Sequence, residues 1–316
     1  MHLFPKTHFD FIGWRRRFFA VSILLLGASA ASLLLRGVKY GIDFTGGTAL
    51  QIAFDKPAKT SDLRAALAKI GEADASIQRF AGTDTFQIRL QTPSTSAEAM
   101  DARISALKGA LAPLTFRVDN KAYVGPSVGA HLFRQALWAI GLTFVGIIVY
   151  LAFRFDNPVW GVSGIIALIH DVFATYGLFS IMGAEVDLLI VSALLTIGGY
   201  SIHDTIVILD RMREKLRIMR GKPLDEVINE SMNETLSRTI ITSGTVLVVV
   251  TILYFFGGPV IHHFALAMVF GTLVGTYSSI AVAAPLVYEW TVRHSKAGAR
   301  LANATGAGKA GAAKSK

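Results

Sequence analysis

The chain has 316 residues, 52% of them hydrophobic and only 17% charged, with a formal charge of +9 and no cysteine. An ordinary globular chain carries about 25% charged residues, so the composition argues against a soluble two-domain protein and rules out disorder, collagen or a disulfide scaffold for the whole chain. Lacking cysteine, it also has no thiol catalysis, iron–sulfur ligation or Cys-type zinc site. Its basic residues lie beside apolar runs, which points to the cytoplasmic edge of a membrane protein and away from nucleic acid.

The first apolar run, residues 18–35 between Arg17 and Arg36, is just long enough to span. Arg15, Arg16 and Arg17 followed by Ala28-Ser29-Ala30 also match a cleavable signal peptide. The run continues through Leu33, Leu34 and Leu35, which favours an uncleaved anchor. On either reading the arginines stay in the cytoplasm and the following chain is exported.

Residues 36–134 contain 13 Lys/Arg and 9 Asp/Glu and read as a soluble domain. Thr48–Phe54 alternates as a strand does. Thr60 is a candidate N-cap for a helix to Ile70, with Leu63, Ala66, Leu67 and Ile70 on one face. Strands are expected at 75–81 and 85–91 around the turn Gly82-Thr83-Asp84, a helix at 94–111 with Met100, Ile104, Leu107 and Leu111 in register, and a strand at 115–124. The order β-α-β-β-α-β is that of a split βαβ, ferredoxin-like unit.

Five apolar segments follow, at about 135–153, 159–182, 187–209, 239–256 and 264–288, and no charged residue occurs in 135–153 or 239–288. They form one span and two hairpins. The connections 183–187 and 257–263 carry no Lys or Arg, 210–238 carries seven, and the tail after Trp290 carries six without an acid. The expected protein is therefore α-helical and polytopic, with six spans, both termini cytoplasmic and an exported α+β domain. The segment 223–236 has Leu224, Val227, Ile228, Met232 and Leu236 on one face and reads as a helix on the membrane surface. Gly271-Thr-Leu-Val-Gly275 matches GxxxG and fits close helix packing. His262 and His263 fall in an exported hairpin and read as solvated. The Ala/Gly/Lys-rich end, 297–316, reads as a disordered tail.

A charge at mid-membrane costs about 2.5–3.5 kcal/mol on insertion scales, so ionisable residues in spans are functional candidates. Asp171 after His170 lies in the third span, and Asp204 after His203 in the fourth. Arg238 opens the fifth span on the cytoplasmic side, within reach of an ion pair with Asp204. The bland alternatives are helix–helix hydrogen bonding for His170 and Asp171 and a membrane-edge anchor for Arg238. A carboxylate leaving water favours its neutral form, and a nearby arginine favours the ionised one. A group that alternates between these surroundings takes up a proton on one face and releases it on the other. An aspartic dyad lacks its glycine-flanked context, and nothing in the spacing of His170, Asp171, His203 and Asp204 demands zinc.

Six motifs in order make the chain similar to the SecF family, the smaller membrane subunits of SecDF protein-export complexes. They are Gly41-Ile-Asp-Phe-Thr-Gly-Gly47, Val124-Gly-Pro-Ser-Val-Gly129, His170-Asp-Val172, the run from Ser201 to Arg211, Ser237-Arg-Thr-Ile-Ile-Thr-Ser-Gly244 and Phe256-Gly-Gly-Pro259. The resemblance covers about residues 11–290. It implies a non-enzymatic inner-membrane subunit that pairs with SecD in a twelve-span, RND-like arrangement. It also implies assistance to the SecYEG channel in late export, with unfolded polypeptide as cargo, membrane lipid as surroundings, and YajC and YidC as further candidate partners. No cofactor or metal is implied. The coupling ion is the proton, with sodium an open alternative. The resemblance assigns proton transport to Asp204 and Arg238, with Thr242 close by. Asp171 joins them on the mid-membrane argument. His203 stands where the family usually has Asn, and a histidine there could share the proton. An RND-type exporter of small molecules and a structural Sec accessory remain the competing readings.

Overall fold

The computed structural model describes residues 7–73, 75–79, 84–90, 97–112 and 114–294. Six helices among them are long and apolar enough to cross a membrane. These are α1 (Phe11–Arg36), α5 (Pro126–Arg154), α6 (Pro158–Met182), α7 (Leu188–Ile218), α8 (Leu224–Phe256) and α9 (Gly258–Ser278). The last continues through a π-turn, Ser279–Ala283, into helix that runs as far as His294, where the described residues stop. Residues 291–294, expected to belong to the tail, are thus helical, and the rest of the tail lies outside the described residues.

The helices extend beyond the apolar runs because hydropathy marks only their hydrocarbon-facing part. Of the stretch 210–238, read as a loop, 210–218 completes α7 and 224–238 begins α8. The expected surface helix at 223–236 is corrected accordingly. Its apolar face does not lie on a membrane surface. Val227, Ile228 and Met232 are buried, and Ile228 and Met232 pack with Ile12 of α1 and Leu209 and Met212 of α7. A single residue, Gly257, joins α8 to α9. His262 and His263 therefore sit in α9, where the His263 ring meets Phe179 edge-on at 6.2 Å; they are not in a solvated hairpin.

Between α1 and α5 lie β1 (Lys39–Tyr40), α2 (Ile42–Thr45), β2 (Gly47–Phe54), α3 (Thr60–Lys69), β3 (Ser76–Arg79), β4 (Thr85–Leu90), α4 (Ala97–Leu111) and β5 (Phe116–Val124). The sheet is antiparallel throughout, in the order β3-β4-β2-β5. Strand alternation sends Leu50, Ile52, Phe54, Phe86, Ile88 and Leu90 to one face, where Leu63 and Leu67 of α3 and Ile104, Leu107 and Leu111 of α4 cover them. Thr60 is the first helical residue of α3 rather than its cap; the extended Lys59 holds that place, without a side-chain hydrogen bond. The expected turn residues Gly82 and Thr83 lie outside the described residues.

The opposite sheet face carries Gln51, Gln87, Arg89 and Asn120, which with Asp43, Asp187 and His263 line a cavity of about 190 Å³ above the helices. The joint beneath it is built by residues far apart in sequence. β1 pairs in parallel with β6 (Glu185–Val186), just before α7. Asp43 Oδ2 accepts the backbone N–H of Leu188 at 3.0 Å, and Asp187 Oδ1 accepts that of Ile190 at 2.9 Å. Both satisfy donors that a helix N-terminus leaves open. Arg89 forms an ion pair with Glu185 and donates to Tyr40 O at 2.8 Å. Burial pulls the Arg89 guanidinium below its ordinary range, against Glu185, Asp187 and Asp43. Gly46, at φ +70°, turns the chain into β2, and a Cβ there would lie 2.9 Å from Pro126 Cα. The glycine motif after the first span thus packs against the start of α5.

Within the bundle, α9 lies close on α7. A Cβ on Gly271 would approach Ile197 Cδ1 to 2.3 Å, and one on Gly275 would approach Ser201 Cβ to 3.0 Å. The GxxxG pattern therefore marks a real close approach. Outward faces of α1 and α5 stay apolar, with Ile23, Leu24, Leu142 and Val145 exposed. Ion pairs gather at the far ends of the helices: Arg15–Glu289 at 2.7 Å, Lys215–Glu230 at 2.7 Å, Lys215–Glu234 at 2.6 Å and Arg154–Asp210.

Candidate functional site

Two aspartates are sealed between the helices. Asp171, on α6, is 0% exposed. Its Oδ2 accepts hydrogen bonds from Ser201 Oγ of α7 and from Ser278 Oγ of α9, the latter at 2.7 Å. Its Oδ1 lies 2.9 Å from His170 Nδ1. Gly275 makes room for this meeting, since a Cβ there would sit 3.6 Å from Asp171 Oδ2 as well as against Ser201. Ser278 immediately precedes the π-turn, a feature often found at functional sites.

Asp204, on α7, is 3% exposed. Ser243 Oγ of α8 donates to its Oδ2 at 3.2 Å, and Thr276 Oγ1 of α9 donates to Ser243 Oγ at 2.7 Å. Thr205, next along, shares a hydrogen bond of 2.9 Å with Ser279. Each carboxylate thus has its own set of hydroxyls, and α9 supplies a member of each.

The other expected site residues are placed differently. Arg238 is exposed on α8. Among the described residues it forms no ion pair within 4.0 Å, and its charge acts on Asp204 from farther off, after that of the neighbouring His203. The expected contact is therefore an electrostatic one across a gap. Thr242 turns its hydroxyl back to Arg238 O at 2.7 Å, the usual helical back-bond, and does not reach the carboxylate. His203 is exposed and turned away from the interior, because neighbouring helix positions point about 100° apart. The four donors His170, Asp171, His203 and Asp204 do not converge, and no group of three or more His, Cys, Asp or Glu among the described residues could hold a metal.

Sequence reasoning missed Ser201, Ser243, Thr276 and Ser278. A signal for two of the faces was present. Ser201, Asp204 and Thr205 stand at i, i+3 and i+4, as do Gly275, Ser278 and Ser279. Such spacing puts small polar groups on one helix face.

Six apolar helices, one inserted α/β domain and buried carboxylates held by serines define a polytopic membrane protein with ionisable groups sealed between its spans. Comparison with known proteins makes this specific. The family described as "Protein export membrane protein SecD/SecF, C-terminal" matches residues 104–293, and "SecD/SecF GG Motif" matches residues 31–58. The chain is 42% identical over 292 residues to the protein translocase subunit SecF of Magnetococcus marinus, covering 91% of this chain and 94% of that one. It is 38% identical to SecF of Endomicrobium trichonymphae, covering 94% and 96%, and 39% identical to SecF of Escherichia coli O157:H7, covering 88% and 86%. The chain belongs to the SecF family of protein translocase subunits. Among solved structures it is similar to SecDF from Thermus thermophilus, described as a translocon-associated membrane protein, with a TM-score of 0.82 at 38% identity over 90% of this chain. A SecDF in a super-membrane-facing form gives 0.70 at 38% identity over 95% of this chain. The chain spans about two fifths of these solved SecDF chains, 39% and 41%.

Proposed function

We propose that this chain works with SecD as a proton-coupled accessory of the Sec translocase, using the proton motive force in late steps of export through SecYEG. The observation that carries the reading is Asp204. It is a buried carboxylate on a hydroxyl chain from Ser243 to Thr276, with the charge of Arg238 acting on it from the next helix. A proton taken up at Asp204 from one side and released to the other draws about 2.3 kcal/mol per 100 mV from the membrane potential. Arg238 favours release, and Thr242 braces the backbone turn that carries it. Asp171 is a second carboxylate in the relay. His203, exposed, stands outside its hydrogen-bonded part.

The inserted domain is read as an exported, ferredoxin-like unit. Its antiparallel order β3-β4-β2-β5, with α3 and α4 on one face, supports this reading. The basic residues at 211–222 and 15–17 support an inner-membrane topology with both termini cytoplasmic. SecD as partner is supported by the SecDF likeness, in which the larger part of the matched chains lies outside this one. YajC and YidC remain further candidates.

The test is precursor clearance in cells carrying Asp204→Asn at normal protein level, with the proton gradient intact and then collapsed. Export by the parent is fast and falls when the gradient is lost; export by the variant is slow and indifferent to it. A variant that clears precursors like the parent under both conditions makes the chain a structural accessory instead.

A further inference from the structure

Asp171 and Asp204 differ in their counter-charges. Asp204 has a permanent cation acting on it, Arg238. Asp171 has none: among the described residues its one ion-pair partner within 4.0 Å is His170, whose charge is itself set by a proton. Of the elements around the pair, α7 carries one more ionisable group on the Ser201 face, Asp204, whose carboxylate accepts from Ser243 of α8. α7 contributes Ser201 and α9 contributes Ser278. Tyr277 of α9 also stands beside the pair, with its ring centroid 6.3 Å from that of His170 and its hydroxyl engaged with Phe18 O and Ser22 of α1.

The count of protons follows. With no proton, a dyad 0% and 3% exposed leaves a bare negative charge between apolar helices; with two, it leaves a bare positive one. Only the state with one proton is neutral overall. Both carboxylate oxygens are already engaged, Oδ2 by two hydroxyls and Oδ1 by His170 Nδ1. One polar atom of the pair is buried without a partner among the described residues, His170 Nε2.

We propose that His170 and Asp171 form a second proton-binding site, which holds one shared proton at rest and exchanges it through His170 Nε2. Release takes the Nε2 proton out of the resting pair while the Asp171 proton passes to Nδ1, which leaves a transient single negative charge; arrival of a proton at Nε2, with return of the Nδ1 proton to Asp171, restores the neutral pair. His170 is then a relay group, where the bland alternative makes it a helix-to-helix hydrogen bond. The transport role rests on the proton-coupled reading above; the proton count does not.

Two measurements on the full chain in its SecD complex test this. In lipid vesicles at neutral pH, infrared spectra report the carboxyl of Asp171, with Asp171→Asn as its assignment control, and nitrogen-15 spectra report the His170 ring. The expected result is either a protonated carboxyl or a doubly protonated ring. An ionised carboxylate beside a neutral ring would overturn the proposal. In cells, His170→Gln keeps an amide that can hydrogen-bond but cannot take up a proton. Its gradient-driven export is expected to fall at least about tenfold. Parent-like export from His170→Gln, with Asp204→Asn impaired, overturns the relay role alone. Parent-like export from both removes the proton-coupled reading, and the spectroscopic count then decides the site by itself.

Discussion

Ser243, one position beyond Thr242, reaches the Asp204 carboxylate, because a shift of one residue turns a helix face by about 100°. Ser243→Ala removes the donor to a buried carboxylate, and a loss of about 1–3 kcal/mol is expected. Thr242→Ala removes only a back-bond to its own helix, so its effect on stability is expected to stay within about 0.5 kcal/mol. Thermal unfolding of the two purified variants in one detergent separates them, and equal losses would contradict the geometry. Asp171 and Asp204 were legible in the sequence because a charge inside an apolar run is costly and therefore conspicuous. Their serine partners were not, since a hydroxyl can bond its own helix at little cost and leaves no mark in composition. Arg238 was legible as a candidate, but its side-chain exposure was not.

At the scale of single elements, helix existence was plain and helix length was not. The apolar runs located all six spans. The polar ends of α7 and α8 read as a loop because they are charged, yet ion pairs such as Lys215–Glu230 hold them as helix. The start of α8 is amphipathic in sequence, and that pattern alone does not say whether protein or membrane covers its apolar face. No sequence pattern announces the approach of α1 to α6, since its signal is the absence of a side chain. A Cβ on Gly177 would lie 2.2 Å from Ser29 Cβ. Gly177→Ala should therefore destabilise the bundle by about 1–3 kcal/mol despite alanine's better helix propensity. Adding Ser29→Gly should return part of that loss in the same unfolding assay, since Ser29 Cα still lies 2.9 Å from the new Cβ. If the double variant is no better than Gly177→Ala, the α1–α6 contact is not the cause.

For the whole molecule, the inserted domain's strands and helices followed from local alternation, whereas its attachment to the bundle did not. Asp43 and Leu188 are 145 positions apart, and no local pattern announces such a pair. Asp187 at this joint gives a pH signature. Burial raises its carboxyl above the usual range, against its hydrogen bond from Ile190 and the charge of Arg89. A raised folded-state value means that the folded chain holds the proton more tightly. The group therefore costs nothing in acid, and its cost grows as pH climbs from about 4, the unfolded value. Asp187→Asn keeps an oxygen for the cap and removes that cost. Its stability relative to the parent should rise between acid and neutral pH; a constant difference across that range would refute the assignment. The joint also has a mechanical consequence. α7 has 31 residues, about 46 Å of helix, with Asp43 fixing one end and Lys215 and Arg211 tethered to Glu234 of α8 at the other. A rod held at both ends can tilt but cannot piston, so a movement of α7 would reach the inserted domain as a change of angle.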